Sequence, residues 1–510
     1  MAILFGDQQK NSKSRIANAP VGRGLAIFLV ALLVYLMIPT KQYYWDGVGF
    51  ALAIEGARGS VAPLFQPNHL VYNVVGYFAW RGLAWLEVSV RALYMLQALN
   101  AIIAAATVLL VWRILFAMTG SLRRSTALAA LFAFSATWWK FATNVDAYIP
   151  SIFFLVLSFW FLLPDKRPRP MIIALLHTAA MVLHQLALFF FPVAIVCLLR
   201  QQTEKHHRLK TVLQYMVTSG VLTACSFISA FRLSRPENFW RWITTHAEDS
   251  TFTFNVPRAI ALSLNGTLRL FFGGKILLLR LDTVMVLGII ALGTTLVLLM
   301  RSLVRLKRPA RQDWKLLCTS LMIGEKQLLV WLAAYILFLL FWLPDNTFYR
   351  LFYLPALVFF FGSATNGTKT HSRALPLLVA AVFAWNFTFV IYPYSRTASN
   401  EVLNFAMLHG TDWPKDTAIV YGLFHSDLWT ISYFNPQVSW QYAPGDAGQM
   451  EMMRTNLRRK GVTLWLEGTA YDELNATAAG QAWLRNHIDS AGSLIYRSRA
   501  LQVRFFRVRG

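Results

Sequence analysis

Eleven apolar runs separated by short polar loops occupy most of the first 395 residues of this chain. A membrane-spanning helix needs about 20 mainly apolar residues, with a range of about 17–25. The chain is 56% hydrophobic and only 14% charged, with a mean hydropathy of +0.46. These values predict a polytopic α-helical membrane protein with about eleven transmembrane helices and exclude a soluble enzyme. The predicted spans are 24–39, 92–118, 125–139, 148–163, 171–184, 186–200, 211–231, 281–300, 325–343, 348–363 and 374–392.

Basic residues determine the predicted orientation. The chain has 48 Lys and Arg against 24 Asp and Glu, which gives a formal charge of +24. Positive loops face the cytoplasm, so the excess needs no nucleic-acid partner, and we expect none. The tail 1–23 is then cytoplasmic, and the first apolar run is a retained span in an inner (plasma) membrane. The loops that alternate in this way are Arg123–Arg124, 166–169, 205–210, 301–315, and the one with Lys369 and Arg373.

The stretch 69–86 is apolar enough to span the membrane, but a span there would move Arg123 and Arg124 outside. We therefore predict that 41–91 forms one long outer loop, with helices along or dipping into the interface. The stretch 257–280 receives the same interpretation, because four basic residues interrupt its apolar pattern. Residues 24–395 together form the predicted transmembrane module.

From residue 396 the long apolar runs stop and short β-like runs alternate with helix-like stretches. This alternation predicts a small extracytoplasmic α/β domain over 396–510. The predicted strands are 417–421, 438–442, 462–466, 494–497 and 502–507, and the predicted helices are 399–409, 425–433, 447–460 and 478–491.

Two aspartates stand at the outer ends of apolar runs, Asp46 in 41–47 and Asp146 in 144–148. Ionisable groups at such places are costly, which makes them functional candidates. A carboxylate partly removed from water has a raised pKa and suits a general base, and basic groups nearby neutralise a phosphate. We predict one shared site at this face of the membrane. The other residues assigned to it at this point are His69, Lys140, His184, Gln185 and Arg350.

No glycine-rich phosphate loop or dinucleotide fingerprint occurs in the chain. If the protein acts on an activated sugar, we therefore expect a donor other than a nucleotide sugar. The three cysteines, Cys197, Cys225 and Cys318, have no metal-like spacing.

Short motifs in these loops resemble the GT-C superfamily of polyprenyl-phosphate-sugar glycosyltransferases. The resemblance is greatest to the branch that holds protein O-mannosyltransferases and aminoarabinose transferases, and in layout it covers the whole chain. The similar segments are Tyr44-Trp45-Asp46, 66–70, 138–148, Leu183-His184-Gln185 and 342–346, together with the C-terminal outer domain.

This resemblance implies a GT-C-like fold and inverting transfer from a polyprenyl-phosphate sugar to a hydroxyl of a lipid, glycan or protein acceptor on the outer face. Asp46 would deprotonate that hydroxyl, and Asp146 would help position donor or acceptor. The family often has an acidic pair, whereas here Gly47 follows Asp46. Mg²⁺ or Mn²⁺ held by Asp46 and Asp146 is possible, but nothing in the sequence demands a metal.

Two further groups of residues complete the predicted site. The basic residues predicted to bind the donor phosphate are Lys140 and Arg350, then Arg232, Arg235, Arg241 and Arg258. The residues predicted to position substrate are Tyr44, Trp45, His69, Tyr148, His184, Gln185 and Asn346.

Two other functions fit a polytopic protein with outer loops. A lipid-linked polysaccharide polymerase or ligase uses similar donors, but we would not expect it to end in an α/β domain. A transporter or flippase predicts broken spans and internal pseudo-symmetry near mid-membrane, and the sequence shows neither.

Overall fold

The computed structural model describes residues 21–57, 59–164, 166–201, 204–244, 252–274, 281–304, 326–364, 374–410, 413, 416–443, 445–497 and 501–509. Most of the predicted cytoplasmic tail, most of the loop 301–315, and the loop with Lys369 and Arg373 lie outside these residues. The chain divides into two compact units. The first comprises Met1–Thr40 and Ala53–Pro393, and the second comprises Lys41–Leu52 and Tyr394–Gly510.

Most of the described residues of the first unit are helical. By length and composition, four of the described helical segments can each cross a membrane: Ala92–Thr119, His206–Ser234, Thr283–Val304 and Ala374–Tyr394. Six shorter apolar helices accompany them, so the predicted multi-pass membrane architecture is confirmed at this level. In the described residues, the α-helices of six or more residues that begin before residue 394 are α1 Val21–Met37, α2 Trp45–Gly56, α3 Tyr72–Trp85, α4 Ala92–Thr119, α5 Leu122–Ala133, α6 Ala136–Ala142, α7 Tyr148–Phe161, α8 Pro170–Leu183, α9 Phe191–Gln201, α10 Lys205–Ser234, α11 Phe239–Thr244, α12 Val256–Phe271, α13 Thr283–Val304, α14 Lys326–Phe341, α15 Leu354–Ala364 and α16 Ala374–Asn386.

Helix α4 is the central helix of the first unit. It packs against α1, α5 and α7, and 67% of its most apolar window is buried. In the most apolar 18-residue stretches of α10 and α13, only 11% of the residues are buried, although both helices are strongly apolar. Apolar side chains on the outside of a helical unit suit a bilayer, because lipid offers no partner for polar groups.

The predicted span 125–139 is interrupted. Helix α5 ends at Ala133, α6 begins at Ala136, and Ser135 between them has extended backbone angles. The buried Asn386 amide donates to the carbonyl oxygens of Phe134 and Phe271 at 2.8 and 2.7 Å. The break is stable because this amide replaces a hydrogen bond that the helix would otherwise supply.

The second unit contains a five-stranded mixed sheet in the order β2-β1-β3-β5-β4. Strands β1, β2 and β3 are parallel, and β5 runs antiparallel to both β3 and β4. The predicted C-terminal α/β region is therefore confirmed. The strands are β1 Thr417–Tyr421, β2 Ser439–Tyr442, β3 Thr463–Glu467, β4 Ile488–Arg497 and β5 Gln502–Val508. The helices are α17 Glu401–Leu408, α18 Ser426–Phe434, α19 Ala447–Arg459, α20 Gly468–Asn475 and α21 Ala478–His487.

Neighbouring residues of strand β1 point to opposite faces of this sheet, as strand geometry requires. Ile419 packs in a cluster with Trp413 and Phe505, whereas Val420 packs in another cluster with Leu466. Both faces of the parallel part are thus covered, which is the usual condition for parallel strands.

Candidate functional site

The loop that carries Asp146 is held by two amide side chains from the N-terminal third of helix α4. Gln97 donates from Nε2 to the carbonyl oxygens of Thr40 and Thr143, both at 2.9 Å. Asn100 donates from Nδ2 to the carbonyl oxygens of Asn144 and Asp146, at 3.1 and 2.8 Å. Both amides are buried. Three of the four bonds fix the backbone of residues 143–146, and the fourth ties Thr40 to the same amide as Thr143.

Asp146 itself is buried, with 1% of its surface exposed. Its Oδ1 accepts the N–H of Tyr148 at 3.1 Å, at the point where α7 begins. A carboxylate is stabilised there by the unsatisfied N–H groups of the helix N-terminus. This setting suits the positioning role predicted for Asp146.

Tyr148 lies at the centre of a buried cluster of rings. Its ring centroid is 4.6 Å from that of His184 and 6.2 Å from that of His69, and the two imidazoles are 4.9 Å apart. Phe348 stacks on the Tyr148 ring at 5.5 Å with an interplanar angle of 15°. Three of the predicted substrate-positioning residues are thus brought together, and we call His69, Tyr148 and His184 the histidine–tyrosine cluster.

Backbone hydrogen bonds assign a proton position to each imidazole. His69 Nδ1 lies 3.3 Å from the carbonyl oxygen of Leu183, which only accepts, so this nitrogen donates. His184 Nδ1 accepts the N–H of Leu186 at 3.1 Å. His184 therefore carries its proton on Nε2, whereas neutral His69 has Nε2 as its acceptor nitrogen. One donor and one acceptor are what a hydroxyl group requires of its surroundings.

The side chains of two other predicted positioning residues form hydrogen bonds with backbone groups. Gln185 donates from Nε2 to the carbonyl oxygen of Pro67 at 2.9 Å, which anchors the turn that carries His69. Asn346 Oδ1 accepts the N–H groups of Phe348 and Tyr349 at 3.0 and 3.3 Å. In this conformation both side chains support the rings of the cluster.

Arg350 is completely buried. Its guanidinium donates to the hydroxyls of Tyr353 at 2.8 Å and Ser263 at 3.1 Å, and to the carbonyl oxygen of Pro344. Among the described residues it forms no ion pair, and Nε has no hydrogen-bond partner. A buried cation with only neutral acceptors is costly, and an approaching anion would offset that cost.

Helix α12 accommodates this guanidinium only because residue 266 is glycine. A Cβ at Gly266 would lie 2.5 Å from Arg350 Nε and 3.1 Å from its Cζ. We expect Gly266→Ala to lower the free energy of unfolding by about 1–3 kcal/mol through overpacking. Gly293→Ala in α13 is the matched control, because a Cβ there meets nothing within 4 Å. Thermal unfolding in detergent measures both, and an unchanged midpoint for Gly266→Ala would contradict the close packing.

The other predicted phosphate-binding residues are distributed differently. The Lys140 ammonium lies 5.7 Å from the centroid of Phe141, and that ring packs on Tyr148 at 5.5 Å. The remaining arginines are exposed on or beside α10, α11 and α12: Arg232, Arg235, Arg241 and Arg258. Their role stays a prediction.

Asp46 belongs to the second unit and lies in the first turn of α2. Burial raises the pKa of its carboxyl group to about 6. Tyr44 begins the helix, because its carbonyl oxygen accepts the N–H of Gly47 at 3.0 Å. The Trp45 ring lies 5.8 Å from that of Trp429. A site shared by Asp46 and Asp146, which lie in different units, stays a prediction.

The sequence reasoning missed the amides and hydroxyls that hold these groups in place. Gln97 and Asn100 stand three residues apart in a long apolar run, and polar residues inside a predicted span were the available signal. Nothing in the sequence around Ser263 indicated a role for it.

Within the described ranges, no group of three or more His, Cys, Asp or Glu residues is arranged to hold a metal ion.

No protein-family model matches this chain, and no curated protein matches it. Among solved structures, it is similar to ArnT from Cupriavidus metallidurans, solved in the apo state and bound to undecaprenyl phosphate. The identity is 12%, the TM-score is 0.46, and the match covers 96% of this chain and 97% of ArnT. It is also similar to the oligosaccharyltransferase of Archaeoglobus fulgidus in the apo form. There the identity is 11%, the TM-score is 0.41, and the match covers 94% of this chain and 74% of that protein.

Proposed function

We propose that this protein is a membrane-integral inverting glycosyltransferase that moves a sugar from a polyprenyl-phosphate donor to an acceptor hydroxyl on the extracytoplasmic face. The observation that carries the proposal is the Asp46 carboxyl group, whose pKa burial raises to about 6. A base with a pKa just below neutrality is ionised at pH 7 and is still more basic than an ordinary aspartate. The motif Tyr44-Trp45-Asp46 in the first outer loop supports the same assignment.

The chemistry is a single displacement at the anomeric carbon. The acceptor oxygen forms a bond to this carbon while the bond from the carbon to the phosphate oxygen breaks. The acceptor proton passes to Asp46, and the electron pair leaves with polyprenyl phosphate. Because attack and departure occur on opposite faces, the configuration at the anomeric carbon inverts.

The first unit contributes binding groups to this proposal. The Nε2–H of His184 is suited to a sugar hydroxyl. Arg350 supplies a cation without an acidic partner in the described parts of the chain, as a leaving phosphate requires.

The direct test is an incubation of the purified protein with a panel of polyprenyl-phosphate sugars. We expect one of them to yield free polyprenyl phosphate in a time-dependent manner, and the yield to fall when Asp46→Asn protein is used. Consumption of a donor at equal rates by both proteins would contradict the proposal.

The proposal also requires residues 396–510 to be extracytoplasmic. In a cysteine-free background, we expect Ala476→Cys to react with a membrane-impermeant maleimide in intact cells. His206→Cys, in a loop predicted to be cytoplasmic, should react only after the cells are opened. Labelling of His206→Cys but not of Ala476→Cys in intact cells would reverse the orientation and overturn the proposal.

A further inference from the structure

The second unit contains a groove of about 370 Å³ between helices α20 and α21 and the β4–β5 hairpin. The proposed transfer reaction makes no use of it. Its lining combines aromatic and aliphatic side chains with hydroxyls, amides and two guanidinium groups. Apolar walls with a few polar groups are the usual composition of a ligand site.

An irregularity in strand β4 forms one wall of the groove. Asp489 pairs with Arg507, and the next pair of residues is Leu494 with Phe505. Residues 490–493 therefore lie opposite only Phe506 on the partner strand, and Ser490 and Ser493 line the groove. Extra residues in a strand turn side chains out of the regular ladder and are common beside binding sites.

An aromatic pair contributes a flat apolar surface. The rings of Tyr471 and Phe506 stack with centroids 4.1 Å apart and an interplanar angle of 24°. Both residues line the groove, together with Leu484 and Ile488. Such a surface suits the apolar face of a ring-shaped ligand.

The two guanidinium groups of the groove, those of Arg485 and Arg509, differ from those of Arg504 and Arg454 in the same unit. Arg504 pairs with Asp472, and Arg454 pairs with Glu451. Arg485 and Arg509 form no ion pair or side-chain hydrogen bond with any residue that the structure describes, and both are exposed. Their charges are thus available to an external acid, for which the planar guanidinium is well shaped.

We propose that this groove binds an acidic saccharide. Arg485 and Arg509 hold its carboxylate or phosphate group, the stacked Tyr471 and Phe506 support a sugar ring, and Ser490 and Ser493 face its hydroxyls. The groove lies wholly within the second unit, so the proposal is independent of the transfer reaction.

The test measures binding to the full-length protein in detergent by isothermal titration calorimetry. The probe is a tetramer of galacturonic acid, with cellotetraose as its neutral counterpart and inorganic phosphate as a simple anion. The double variant Arg485→Ala/Arg509→Ala removes two charges from the groove. Arg458→Ala/Arg459→Ala removes two exposed charges from α19 of the same unit and is the matched control. A third variant, Ser490→Trp, fills the groove without changing its charge.

We expect the groove double variant to weaken tetragalacturonate binding by at least about 10-fold, because it removes both charge-assisted hydrogen-bond donors. Ser490→Trp should also weaken it, and the α19 control should bind like the wild type. Three results would each overturn the proposal: cellotetraose binding as tightly as the acid, phosphate alone accounting for the whole affinity, or the two double variants behaving alike.

Discussion

Asp46→Asn should lower turnover by about 10²–10⁴-fold, which is the usual contribution of a general base. Asparagine keeps the size of the side chain and removes its basicity. The variant should therefore fold, insert and bind donor as the wild type does. Turnover is measured as the release of free polyprenyl phosphate, and donor binding is measured separately by titration.

The pH dependence of the wild type should reveal the same group. Because burial raises the Asp46 pKa to about 6, kcat/KM should fall as the pH drops through about 6 and level off above it. Asp46→Asn should lose this limb of the profile. A wild-type profile that is flat between pH 5 and pH 7 would contradict the assignment of the base.

Stability separates a functional role of Asp46 from a structural one. A carboxyl group whose pKa is raised on folding binds its proton more tightly in the folded state than in the unfolded state. The folded protein therefore loses stability as the pH rises from the ordinary aspartate pKa of 3.8 through about 6. Above that range the neutral amide of the variant carries no such cost, so Asp46→Asn should unfold at an equal or higher temperature while losing turnover.

Two further substitutions complete this experiment. Asp416→Asn alters an exposed acid of the same unit and should leave turnover unchanged. If Asp46→Asn retains turnover while Asp146→Asn loses it, the two aspartates have exchanged roles. If both variants retain turnover, the proposed mechanism is wrong.

The strands of the second unit were predictable because each combines β-branched or aromatic residues with nearby turn signals. All five lie where the sequence predicts them, to within a few residues at most ends. The exception is 488–491, which the sequence assigns to a helix and which begins strand β4. Ile488 pairs with Val508, and the residues that would indicate such a partner lie outside any local window. A tertiary contact overrides local preference here.

The residues of the candidate site were likewise only partly predictable from the sequence. Asp46, Asp146, His69 and His184 were predictable because charged or polar residues at the ends of apolar runs stand out locally. Their supports were not, because these come from distant segments. The Asn100 amide that holds the carbonyl oxygen of Asp146 lies 46 residues earlier in the chain.

The environment of Arg350 also depends on a distant segment, since Ser263 lies 87 residues earlier in the chain. The sequence places the charge near the outer end of a predicted span. It does not indicate that the guanidinium is fully buried, or that glycine at position 266 makes room for it. These two facts make Arg350 a sharper test of the proposed donor site than an exposed arginine would be.

Arg350→Met should weaken donor binding by about 10- to 100-fold, because charge-assisted hydrogen bonds contribute about 1.5–3 kcal/mol each. Methionine fills much of the same volume and removes the charge. Acceptor affinity should change less, since the acceptor carries no leaving phosphate. Arg459→Ala, which removes an exposed charge from α19, is the control and should leave donor affinity unchanged.

The buried charge also predicts a thermal shift. Without ligand, the wild type holds a guanidinium whose acceptors among the described residues are hydroxyls and a carbonyl oxygen. An anionic donor should therefore raise the Tm of the wild type more than that of Arg350→Met, and a neutral sugar should shift both proteins equally. If Arg350→Met and Lys140→Met each bind donor as the wild type does, neither residue belongs to the donor site. In that case the exposed arginines of α10 to α12 become the next group to test, starting with Arg258, whose helix also carries Ser263 and Gly266.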